Sequence, residues 1–159
     1  MTEDARFEDA GDAPLNLGAL DAEDLQVLSA LVQDSVLPVT EITWDRRARR
    51  VAFLINRLRH EDVDAARRQG RSVERVRSLL VIDGVLAVSS QGVDRGDRDT
   101  ILQLLAVDFE PIDAPGGALT ITLAGDGAIR ISVEALEVSL RDVTRPYAAP
   151  SGQVPDHGA

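Results

Sequence analysis

No cysteine occurs in the chain, and no lysine. Without a thiol there is no disulfide framework, no thiolate zinc site and no cysteine nucleophile. Aromatic residues make up only 3% of the sequence, so its core must be filled by Leu, Val, Ile and Ala. The same scarcity disfavours aromatic-lined cofactor pockets and base-stacking platforms. No apolar run approaches the ~20 residues of a membrane-spanning helix. The opening stretch MTEDARFEDAGDAP is acidic and lacks the basic-then-apolar order of a secretory signal, so the cytoplasm is the expected location.

What is present is charge, unevenly placed. The 159 residues carry a formal net charge of −10. Residues 1–24 hold eight acids against one Arg, residues 45–77 hold eleven Arg against five acids, and residues 78–159 hold twelve acids against five Arg. All seventeen basic residues are Arg. Arg suits bidentate anion recognition, although its use at every basic position regardless of context points to a GC-rich genome. The length suits one domain, and apolar and charged shares of 44% and 28% are ordinary for a globular protein.

Periodicity sets the expected elements. Residues 1–18 are acidic, with little apolar pattern, and read as a disordered lead. Asp21 is a candidate N-cap, and Leu25, Leu28, Leu31 and Val32 follow at helical spacing, predicting an amphipathic helix over Asp21–Asp34. Ser35–Trp44 contains Pro38 and reads as an edge strand or a strand start. Val51–Arg59 is a second strand, with Val51, Phe53 and Ile55 on one face and Ala52 and Leu54 on the other, hence central. Glu61–Gly70 reads as a loop or short helix. Asp83-Gly84 between two apolar runs, Arg75–Ile82 and Val85–Ser90, predicts a hairpin. Further strands are expected within Thr100–Ile112, around Leu119–Leu123 and Ile129–Val133, and from Leu136 to Leu140; the alternation slips near Glu134–Leu136, where a bulge or short break is expected, with a helix over Val133–Asp142 as the alternative. The expected fold is α+β: one single domain over 19–145, with the N-terminal helix followed by seven or eight mostly antiparallel strands in a curled sheet, a barrel or a two-layer sandwich. Residues 146–159 read as a flexible Pro- and Gly-rich tail.

Few constellations carry chemistry. Asp94, Asp97 and Asp99 have the wrong spacing for a calcium loop and are interleaved with Arg95 and Arg98, so a solvated turn is expected. His60-Glu61-Asp62 offers three ligand types, but strand neighbours point apart, and the other histidine, His157, lies in the tail. No metal site and no cofactor is expected. The glycines at 116–117 and at 125 and 127 lie between strands, unlike a phosphate loop. The Arg-rich region remains: Arg46, Arg47, Arg49 and Arg50 in one cluster, then Arg57 and Arg59 alternating with Leu58.

The runs RRVAFLINRLRHED, ERVRSLLVIDGV, ILQLLAVDFEP, LTITLAGDGAIRISVEALEVSLRDV and the late PDH resemble a small family of bacterial, mainly alphaproteobacterial proteins, the domain-of-unknown-function family 2948. The likeness covers about three quarters of the chain. In that family the Arg-bearing strand commonly ends in Arg-Trp-Glu where this chain has Arg59-His60-Glu61, which weakens a catalytic role for His60. The resemblance implies no activity.

The leading expectation is a non-enzymatic module that binds a protein or a small anionic ligand through Arg46, Arg47, Arg49, Arg50, Arg57, Arg59 and Glu61, with no catalytic residue assigned. The alternative is a small-molecule enzyme with a pocket near His60 and Glu61. Nucleic-acid binding is disfavoured by the net charge and the few stacking aromatics. Self-association is a further expectation, because acidic and basic regions on one chain are complementary.

Overall fold

Asp21 caps the first helix as its sequence requires: the side chain accepts a hydrogen bond from Asp24 N at 2.8 Å. The helix, α1 (Ala22–Val32), buries Leu25, Leu28 and Val32 and packs chiefly on the sheet. Burying each of these side chains is worth about 1.5–3 kcal/mol. The computed structural model describes residues 13–94 and 96–148. The outer parts of the expected lead and tail lie outside these residues, as does His157.

Among the described residues the chain forms β1 (Asn16–Ala19), α1, β2 (Val36–Pro38), β3 (Ile42–Asp45), β4 (Arg50–Leu58), α2 (Val63–Gln69), β5 (Glu74–Asp83), β6 (Val85–Gln91), β7 (Ile101–Pro111), β8 (Gly117–Leu123), β9 (Gly127–Val133), β10 (Val138–Asp142) and β11 (Tyr147–Ala148). Short 3-10 turns occupy Val39–Glu41 and His60–Asp62. The sheet runs β1-β10-β5-β4-β2-β7-β8-β9-β6, with β3 beside β4 and β11 beside β5. Every pairing is antiparallel.

This corrects the expected α+β domain of one N-terminal helix and seven or eight strands. Among the described residues the protein is mostly β, with eleven strands in one open sheet and two short helices. Three causes raise the count. The Ser35–Trp44 run is split by the 3-10 turn into β2 and β3. β1 falls in the stretch read as a disordered lead, and β11 starts inside the expected tail; neither segment has an apolar alternation of its own, and each is ordered by backbone pairing to β10 or β5. A strand therefore precedes the helix.

The Asp83-Gly84 hairpin does not form. β5 pairs with β4 and β10, and β6 pairs with β9. Gly84, at φ +70°, turns a corner instead, and its carbonyl accepts from Glu134 N at 2.9 Å. The connection from β9 to β10 crosses beside it, with Asp83 N donating to Glu137 O at 3.0 Å. That is the short break where the alternation slips. Two ribbons thus pass together from one half of the sheet to the other. Phe53, Ile55 and Leu80 from one half and Leu104, Ile121 and Ile131 from the other share a single core.

Candidate functional site

Of the expected site residues β4 carries Arg50 and Arg57, and its alternation decides where they go. Val51, Phe53, Ile55 and Arg57 are all buried on one face, so Arg57 continues the core face and is 0% exposed. A guanidinium there must be neutralised. The turn after β4 brings Glu61 back onto it in a bidentate pair, Nη1 to Oε1 and Nη2 to Oε2, both 2.9 Å. Asp142, at the end of β10, accepts from Nη2 at 3.2 Å. Ser78 on β5 accepts from Nε at 3.3 Å and donates its own hydroxyl proton to Asp142 at 2.6 Å. Leu15 N donates to the other Asp142 oxygen at 2.9 Å. Arg59 pairs with Glu74, and Asp62 takes both terminal nitrogens of Arg71 at 2.7 and 2.8 Å. Three guanidiniums and four carboxylates therefore form one partly buried network.

The titration behaviour follows from this geometry. Burial pushes the Glu61 carboxyl up, but hydrogen bonds from Arg57 and its charge more than reverse this, holding Glu61 below the usual carboxylate range. Hydrogen bonds from Arg71 hold Asp62 low. Burial alone would lower Arg57, and Glu61 and Asp142 together raise it. His60 is half-buried with Nε2 2.7 Å from Gln33 O, and neither His60 nor Glu61 lines the cleft beside Trp44.

Arg46, Arg47, Arg49 and Arg50 sit apart from this network, exposed at the β3–β4 turn. Arg50 and Arg57 are seven residues apart on one strand, about 23 Å at roughly 3.3 Å per residue. The two groups do not converge. Arg49 pairs with Glu134 at 2.8 Å and Arg50 with Asp83 at 2.7 Å, both across the corner. Arg46 lies over the Trp44 ring, 5.8 Å from its centroid, within cation–π range.

Trp44 and Arg46 lead to a cleft of about 540 Å³ that sequence reasoning missed. Its floor is Val51, Phe53 and Ile129, one wall is Ile42 and Trp44 of β3, and the other is Val88 and Ser90 of β6. Val39 and Thr40 line the far end with Val93 and Arg98. Two guanidiniums, Arg46 and Arg98, therefore flank an apolar trough that has no Asp or Glu in its lining among the described residues. The available sequence signal was the pair Ile42 and Trp44, two residues apart and so on one strand face. Nothing local says that strands so far apart in sequence meet across a gap.

A family model described as a protein of unknown function (DUF2948) matches residues 15–157. The chain belongs to that family. The DUF2948 match takes in both the Arg57 network and the cleft, so neither is peripheral to what the family model covers. Comparison with curated proteins and with solved structures gives no match. Among the described residues, no group of three His, Cys, Asp or Glu side chains is placed to hold a metal ion, and no helix is long and apolar enough to cross a membrane.

Proposed function

We propose that this chain is a non-enzymatic binding module that takes an anion with an apolar body in the cleft between β3 and β6. One observation carries the reading: Arg46 and Arg98 flank an aliphatic and aromatic trough that has no carboxylate in its lining among the described residues. Such a site gains from burying an apolar body and orients it through charge-assisted hydrogen bonds at the rim. Thr40 and Ser90 supply hydroxyls, but among the described residues the lining holds no His, Asp or Glu to act as their base. The groups an enzyme would draw on, His60 and Glu61, are engaged by Gln33 O and Arg57. Arg57 and Arg59 support this reading as structure, by fixing the far end of β4, and not as ligand contacts.

Trp44 is the only tryptophan and stands in the cleft wall, so its emission reports occupancy directly. Titration with decanoate should shift that emission saturably. Decanol, equal in chain but uncharged, should bind about tenfold more weakly, a loss of roughly 1.4 kcal/mol. Arg98→Ala should lower decanoate affinity to a similar extent with the unfolding midpoint unchanged. An emission spectrum that ignores decanoate up to its solubility limit would overturn the reading.

A further inference from the structure

We infer that the ligand of this cleft is an extended peptide, acidic at both ends and aliphatic between, which adds as a strand to the bare edge of β6. The inference rests on the proposed binding reading and names the ligand class within it.

Two strand edges face one another here. β6 pairs only with β9 among the described residues, and β3 only with β4. Their second edges line the same cleft, through Ile42 and Trp44 on one side and Val88 and Ser90 on the other. At one end they are tied, since Val85 N donates to Arg49 O at 3.0 Å. Beyond that tie they part, and the apolar floor shows between them. An unpaired edge is a template for another strand, which natural proteins usually blunt with charge, proline or shortness. β6 reads VLAVSSQ: seven residues with no charge and no proline, its one irregularity a bulge at Val85–Ala87 near the tied end. β1, the other end of the sheet path, has only four residues.

The trough selects what can enter. Main-chain hydrogen bonds to an edge supply affinity, while alternate side chains reach a floor and supply specificity. An aliphatic residue at alternate positions meets Phe53 and Ile129. Arg46 stands towards the tied end with Trp44, and Arg98 follows Val93 at the open end, so a carboxylate at each end of the segment is complementary. Seven residues of β6 span about 23 Å, and the open part accommodates about five. A second folded copy fits less well, because the bare edge of β6 looks across the cleft at β3 and admits a lone segment more readily than another sheet.

The probe is the peptide acetyl-Glu-Val-Thr-Val-Glu-amide, titrated into the full chain with Trp44 emission and calorimetry as readouts, beside versions N-methylated at one amide at a time. Saturable binding is expected, with the β6 amides slowed in hydrogen exchange. N-methylation at the edge-facing amides should weaken binding at least tenfold, methylation at the others should not, and replacing both Glu by Gln should cost about tenfold. Binding of decanoate without binding of the peptide, or indifference to methylation at every amide, would overturn strand addition and leave the anion-binding reading standing. Failure of both probes would overturn both. A dimer by light scattering whose β6 amides are protected before any peptide is added would identify a second copy as the occupant and overturn the inference.

Discussion

Arg57 shows how a single residue type changes meaning with burial. Its alternation with Arg59 about Leu58 is plain in the sequence and suggests a solvated anion-facing edge. The core face of β4 simply continues through it, and its counter-charges come from Glu61, four residues on, and Asp142, eighty-five residues on. Glu61 was legible as a nearby acid. Asp142 was not, because no local pattern pairs positions that far apart. Arg57→Ala leaves two carboxylates facing one another in a dry site, and breaking such a buried pair costs about 3–5 kcal/mol. The expected outcome is a urea midpoint lowered by that amount. Arg57→Lys should recover little of it, since an ammonium cannot make the bidentate pair. A loss below about 1 kcal/mol would show the network to be no more than a surface contact.

At the scale of the element, the corner after β5 is the instructive case. Asp-Gly between apolar runs is a strong local hairpin signal, yet a type I′ turn needs positive φ at two central residues, and here Gly84 has it and Asp83 does not. Tertiary bonds claim what the hairpin would have used: Val85 N goes to Arg49 O, and Gly84 O accepts from Glu134 N. β6 is thereby delivered to β9, and its second edge is left bare at the cleft. Strand existence was legible nearly throughout the middle of the chain, from the alternation of Val51–Ile55 and of Leu119–Leu123. Pairing was not, since period-two alternation states which face is buried and nothing about the neighbour. Gly84→Ala places a Cβ at φ +70°, which costs about 1–2 kcal/mol. Thermal or urea unfolding should show that loss, and because the corner positions β6, decanoate affinity measured through Trp44 should fall with it. Unchanged stability would mean that the corner relaxes freely.

For the whole molecule the relevant quantity is how charge couples to folding. The Arg57 network ties β1, β4, β5 and β10 together through Leu15 N, Ser78 and Asp142. Glu61 and Asp62 are held below their ordinary values in the folded chain. A carboxylate depressed by folding contributes stability that is fully present above its unfolded value, about 4, and is lost as pH falls through the lower folded value. Stability carried by these two groups should therefore be flat near neutrality and fall below about pH 4. Urea midpoints measured from pH 7 to pH 3 check this, and Glu61→Gln should both lower the neutral-pH midpoint and flatten the acid decline. A decline of the same steepness in the variant would assign it to other carboxylates. The charge asymmetry along the chain was legible from composition; its resolution into a neutralised interior network and a separate exposed turn was not.

β1 pairs with β10, and its neighbour Leu15 binds Asp142. On the ribosome this means that β1 has no partner until β10 has been made. Arg57 likewise waits in the nascent chain for a carboxylate eighty-five residues downstream. Contacts of such long sequence separation form slowly, so β1 is expected to be among the last of the described strands to find its place.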